Sequence, residues 1–106
     1  MTDTFLIADG SEASAIRTRA VLADLGYDAA IVRSAVEALQ VCVNQGPAVL
    51  LASHPLPGMD TRELLRILKQ SRRELEIIVA CPRRSLAAQA RRLKPLASGL
   101  LGRPIQ

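Results

Sequence analysis

Apolar and polar positions fall in alternating blocks along the chain. Phe5–Ala8 is a short apolar run closed by Asp9-Gly10-Ser11, and a run of that length followed by turn residues predicts a buried strand. From Ser14 to Leu25 the spacing turns helical, with Ile16, Ala20 and Ala23 at i, i+4 and i+7 as the inward stripe and Gly26 as the stop. Ala29–Val32 predicts a second strand. Ser34 and Glu37 stand at capping-box spacing and open a helix with Val36, Leu39 and Val43 as its apolar stripe, ended by Gly46-Pro47. Val49–Ala52 is apolar at every position, as in a parallel sheet whose two faces are both covered by helices.

The turn-rich loop Ser53–Met59 follows. Asp60 with Glu63 predicts the cap of a third helix, whose inner face is Leu64, Leu65 and Leu68. Glu76 leads into a fourth strand, Ile77–Ala80, ended by Pro82. Ser85–Leu93 predicts a short helix with Leu86, Ala90 and Leu93 inward, stopped by Lys94-Pro95. Gly99–Gly102 predicts the fifth strand, and Arg103-Pro104 follows it. Strands and helices alternate throughout with short connections. That order argues an α/β fold, a doubly wound five-stranded parallel sheet in one domain over 1–106.

Composition sharpens this picture at a few points. Of the 106 residues 49% are hydrophobic and 23% charged, with one Phe, one Tyr and no Trp, so the core is aliphatic. No apolar run approaches the roughly 18 residues of a membrane span, and the N-terminus lacks a signal-peptide succession; a cytoplasmic location and no membrane partner are expected. Cys42 and Cys81 have no neighbouring ligand residues in sequence. That speaks against a zinc site or a disulfide framework and predicts small buried hydrophobes. Neither a metal nor a cofactor is expected. The net charge of +4 hides an asymmetry: residues 1–60 hold three basic and seven acidic side chains, net −4, while residues 61–106 hold eleven and three, net +8.

In this order the segments resemble the receiver domain of bacterial two-component response regulators, the CheY-like flavodoxin fold. Phe5–Ser11 resembles that family's first strand and acidic turn, Leu25-Gly26-Tyr27-Asp28 its first helix end, and Ala35–Leu39 its second helix start. Val49 to Asp60 resembles its "LLD-x-x-x-PGMD" segment, with Pro57-Gly58-Met59-Asp60 as the most specific match. Arg103-Pro104 resembles the Lys-Pro after strand five, and Cys81 stands at the spacing of the family's switch hydroxyl.

The resemblance implies a phosphorylation site of which this chain keeps little. Family members hold Mg²⁺ with two acids of the first turn and accept phosphate on an acid after strand three. Here the first acid is Asp9, but the second position is Gly10 and the phosphoacceptor position is Ser53. Cys81 replaces the switch hydroxyl, Arg103 the Lys, and Leu100 the switch aromatic. Mg²⁺ wants several oxygen ligands, and a serine nucleophile needs an activating base. His54 is the only near candidate in sequence, and neighbours after a strand point to opposite faces. Asp9, Gly10, Ser53, Cys81 and Arg103 therefore read as a degenerate phosphorylation site, with no catalytic residue and no enzyme activity. The family continues into a fifth helix where this sequence has three residues after Arg103. The expectation is an exposed apolar strip along strand five, which is either an interface or the mark of a domain cut from a longer protein.

The basic half offers a second candidate surface. Arg62, Arg66 and Lys69 line one face of the third helix, and Arg83, Arg84, Arg91, Arg92 and Lys94 surround the fourth. Arg83, Arg84, Arg91, Arg92 and Leu100 are the candidate partner-binding or ligand-binding residues, with simple solvation as the competing explanation. Three functions follow, in order. The first is a pseudo-receiver, a regulatory module that binds a histidine kinase, another signalling domain or a second copy of itself as a dimer. The second is an arginine-based sensor of a phosphorylated ligand such as cyclic di-GMP, weakened by the scarcity of aromatics for stacking. The third, nucleic-acid binding, lacks aromatic platforms and a helix-turn-helix pattern.

Overall fold

Strand and helix alternate as the hydrophobic blocks require. The computed structural model describes residues 4–103; Pro104 lies outside them. The elements are β1 (Thr4–Ala8), α1 (Glu12–Asp24), β2 (Asp28–Val32), α2 (Ala35–Asn44), β3 (Val49–Ser53), α3 (Thr61–Ser71), β4 (Glu76–Pro82), a 3₁₀ turn (Arg83–Ser85), α4 (Leu86–Leu93) and β5 (Gly99–Arg103). The five strands form one sheet in the order β2-β1-β3-β4-β5, and every pairing is parallel. The chain is thus doubly wound, and all five strands end along the same sheet edge. Among the described residues no helix follows β5.

Alternation along the central strands divides the interior into two unequal layers. Leu6, Leu50, Ala52, Ile77 and Val79 face α2, α3 and α4, where they join Cys42, Leu64, Leu65, Leu68 and Leu93 in a continuous buried cluster. On the other face the buried set among the described residues is Ile7, Ala15 and Leu22, with Phe5, Ala29, Ile31 and Leu51 partly covered. Among the described residues one helix, α1, packs there, against β2 and β1. No helix of the described residues is long and apolar enough to cross a membrane. Both cysteines are buried and free.

Two helices turn a different face inward than hydrophobicity predicts. In α1 the buried residues are Ala15 and Leu22, while Ile16 is 46% exposed and Ala20 and Ala23 lie on the surface. In α2 they are Ala35, Ala38 and Cys42, with Val36 and Val43 exposed. Small side chains let each helix axis approach the sheet closely, and close packing outweighs the larger area of Ile16, Val36 or Val43. In α3 the inward residues are the expected Leu64, Leu65 and Leu68. In α4 Leu93 is buried, and Leu86 and Ala90 are half-buried.

The caps also differ in detail. α1 opens earlier than Ser14, because the Ser11 hydroxyl accepts the Ser14 N–H at 3.3 Å. Ser34 caps α2 as expected, accepting the Glu37 N–H at 3.2 Å. Asp60 occupies the N-cap of α3, but its carboxylate caps no helix N–H. It turns instead toward the Arg92 guanidinium, 3.4 Å away, and Glu63 pairs with Arg66 one helical turn on.

Candidate functional site

Because the strands are parallel and end together, Asp9, Ser53, Cys81 and Arg103 come to one sheet edge from four different strands or strand ends. Asp9 is 3% exposed. Its N–H continues the sheet by donating to the Val32 carbonyl at 3.0 Å. One carboxylate oxygen, Oδ1, accepts the Ser11 N–H at 2.9 Å. The other, Oδ2, accepts the Ser53 hydroxyl at 3.1 Å. Asp9 and the Ser53 hydroxyl are therefore bonded to each other, and both oxygens of the acid are engaged.

Gly10 follows Asp9 with its backbone packed under the β3–α3 loop. A Cβ at Gly10 would lie 3.1 Å from Cδ of Pro57, so a second acid here needs Pro57 to give way. The Gly10 carbonyl accepts the Arg33 guanidinium at 2.7 Å. This donor set does not fit Mg²⁺. It offers one carboxylate, already hydrogen-bonded through both oxygens, beside a glycine and a serine, where the ion requires several oxygen ligands. Among the described residues no three His, Cys, Asp or Glu side chains converge on a point.

His54 is not the partner of Ser53. Its Nδ1 lies 2.8 Å from the Thr61 hydroxyl, and its carbonyl accepts the Arg103 guanidinium at 2.7 Å. Arg103 is thereby tied to the loop backbone. Burial holds the His54 imidazole below its usual range, the Arg92 and Arg103 guanidinium groups push the same way, and Asp60 opposes them. Cys81 is fully buried. Burial raises its thiol, partly offset by the Arg103 charge and a hydrogen bond with Ser85.

The second set of candidate residues does not form one site. Arg83 and Arg84, in the 3₁₀ turn after β4, line a groove of about 900 Å³ on the α1 side of the sheet. Arg92 points to Asp60 and Gln89 instead, Arg91 is exposed on α4, and Leu100 packs against the core under α2–α4. The separation is physical: the sheet itself stands between the groove and the α2–α4 layer. Hydrophobic spacing gave no sign of a further cation of the groove, Arg17 on α1, because it lies in the acidic half of the chain. The signal available was its i, i+4 spacing to Val21, which also lines the groove.

No known protein-family profile matches the chain, and no curated protein matches it. Solved structures do. A CheY-like response regulator receiver domain protein from Methanospirillum hungatei is 25% identical, with a TM-score of 0.88 over 100% of this chain and 85% of its own. A protein described as a response regulator from Chloroflexus aurantiacus is 26% identical, with a TM-score of 0.90 over 100% of this chain and 88% of its own. The receiver domain of a sensor histidine kinase from Pseudomonas aeruginosa, solved with magnesium in its active-site cleft, shares the fold at 18% identity and a TM-score of 0.88, over 100% of this chain and 88% of its own.

Proposed function

Because the chain belongs to the CheY-like family of response-regulator receiver domains, we propose that it is a pseudo-receiver, a signalling module that takes up no phosphoryl group and acts by binding another protein. The observation that carries this reading is the bond from the Ser53 hydroxyl to Asp9 at 3.1 Å. At the phosphoacceptor position a neutral hydroxyl replaces the carboxylate nucleophile, and a hydroxyl attacks phosphorus only when a base removes its proton. His54 is turned to Thr61 and does not supply that base. The electrophile is no better served, since Asp9 alone does not hold the divalent ion that would neutralise an incoming phosphate.

Such a module is non-enzymatic and works through surfaces. Its partners are a histidine kinase, another signalling domain or a second copy of the chain, in the cytoplasm. The alternative, a cyclic dinucleotide sensor built on Arg83, Arg84, Arg91 and Arg92, is disfavoured because two of those arginines lie on the groove and the other two do not.

Incubation with acetyl phosphate and Mg²⁺, followed by intact-protein mass spectrometry and thermal unfolding, tests the reading. The expected result is no added phosphoryl group and no change in Tm. Phosphorylation at Ser53, or a rise in Tm in that arm, overturns it; a rise with cyclic di-GMP instead would move the chain to ligand sensing.

A further inference from the structure

The strand at one end of the sheet is β2, which pairs with β1 alone among the described strands. The two flanks of α1 face different surroundings. Arg17, Thr18 and Val21 line the groove over β3–β5. Ile16, Arg19, Ala20 and Ala23 turn the other way and, with Tyr27, Asp28 and Ala29, line a hollow of about 500 Å³ beside the edge of β2. Ile16 is 46% and Tyr27 42% exposed, and Ala20, Ala23 and Ala30 lie on the surface.

The backbone of this edge has a definite geometry. The Val32 carbonyl accepts the Asp9 N–H at 3.0 Å, so Val32 turns its polar groups toward β1. Alternation along the strand turns those of Ala30 the same way and those of Ala29 and Ile31 outward. Proteins ordinarily guard such an edge with charge, Pro or a bulge. Ala29-Ala30-Ile31 carries neither charge nor Pro, and its register with β1 runs without a bulge.

The outward groups are symmetric about Ala30. A second, antiparallel β2 related by a two-fold axis through Ala30 pairs Ala29 of each chain with Ile31 of the other. Every outward N–H and C=O of those residues then finds a partner, in four hydrogen bonds. The two Ala30 residues form the close, non-hydrogen-bonded pair, about 4.5 Å between Cα atoms, where a small side chain fits. Charge agrees with this register. Asp28 opens the strand and Arg33 follows it, so the acidic end of each strand meets the basic end of the other; among the described residues Asp28 makes no ion pair. Since α1 lies over β2 and β1 and strands are about 4.8 Å apart, the same axis sets the two α1 helices about 10 Å apart, a helix-packing distance. A strand of another protein satisfies the backbone groups equally. The two-fold match of charges and helices is what selects a second copy.

We propose that the chain forms a dimer through β2, two copies joining edge to edge into one ten-stranded sheet with the outer flanks of their α1 helices packed across the axis. The inference rests on the protein-binding reading above and names a second copy as the partner and β2 with α1 as the surface.

The test uses the full chain. Sedimentation equilibrium over about 1–500 μM should show a reversible dimer. Ala30→Lys sets two like charges against each other on the axis, and Ala29→Pro removes one outward N–H per chain without touching the bonds to β1. Each should weaken the dimer by about tenfold or more, and circular dichroism confirms that the variants fold. Ala30→Cys gives a positive readout, because Cα atoms about 4.5 Å apart lie within disulfide reach. Oxidised glutathione should convert that variant to a covalent dimer of twice the chain mass. Ala87→Cys, equally exposed on α4, should stay monomeric in a denaturing gel, and the native Cys42 and Cys81 are buried.

A monomer at every concentration, a dimer that survives both Ala30→Lys and Ala29→Pro, or cross-linking no faster through Ala30→Cys than through Ala87→Cys overturns the proposal. So does a dimer that Leu101→Asp dissociates and Ala30→Lys does not, which places the contact at β5. Each of these outcomes leaves the protein-binding reading standing with a different partner or surface. Phosphoryl uptake removes the pseudo-receiver reading whatever the dimer does.

Discussion

The Ser53 hydroxyl donates to Oδ2 of Asp9 at 3.1 Å across 44 residues of sequence, and both partners are buried. This bond joins the end of β3 to the end of β1. Deleting either partner strands the other in a water-poor setting. Ser53→Ala should destabilise the fold by about 1–2 kcal/mol, and Asp9→Ala by about 2–3 kcal/mol, because it also strips the Ser11 N–H of its acceptor. In a double-mutant cycle by urea unfolding the pair should show a coupling of about 1 kcal/mol. Strict additivity would mean that the two side chains do not interact in solution.

Arg72 closes the end of α3 over two other elements. One guanidinium nitrogen donates to the carbonyls of Cys42 and Pro47, at 3.2 and 3.0 Å, while Nε meets Glu74 at 2.8 Å. The side chain is only 17% exposed, so these bonds are made largely out of water. Arg72→Ala should cost about 2 kcal/mol in chemical denaturation. Arg72→Lys should recover less than half of that, since an ammonium cannot serve the three acceptors in one planar fork. Full recovery with Lys would show that charge alone matters.

His54 makes stability depend on pH on the acid side. Its folded pKa lies below the usual 6.5 because burial and the nearby arginines disfavour the imidazolium. The unfolded chain therefore takes up the proton first as pH falls. The neutral imidazole's contribution is fully present above about 6.5 and is lost as pH drops through the folded pKa. Unfolding midpoints between pH 8 and pH 5 should decline in the wild type, and the His54→Gln curve should be flatter. An NMR titration placing His54 at or above 6.5 would contradict this.

Neither thiol should react in the native state. Burial pushes Cys42 up to about 11, with Arg72 opposing, and Cys81 is raised as well. Since the thiolate is the reactive form, a disulfide reagent at pH 8 should titrate two thiols in denaturant and almost none in the folded protein over minutes. Rapid modification of Cys81 without unfolding would show that the end of β4 opens locally.

Much of the fold was legible in the hydrophobic pattern. The apolar run Val49–Ala52 predicts cover on both faces; the structure buries Leu50 and Ala52 on one side, while Leu51 on the other is only partly covered and lines the groove. Helix faces were less legible. The sequence pattern favours Ile16, Val36 and Val43 as core, but Ala15, Ala35 and Ala38 are the residues the sheet accepts. Hydrophobicity scales rank side chains by area, whereas the distance between helix and sheet is chosen by the packing of the whole layer.

The sequence by itself determined the order of elements, the parallel sheet and the identity of the side chains at its C-terminal edge, because periodicity, turn residues and the Pro57-Gly58-Met59-Asp60 loop are local properties. Only the tertiary structure decided what those side chains touch: that Ser53 bonds to Asp9 and not to His54, that Arg103 holds a loop carbonyl, and that Arg17 joins Arg83 and Arg84 around one groove. These contacts join residues far apart in the chain, and their geometry follows from sheet register and layer packing, which no local window of sequence encodes.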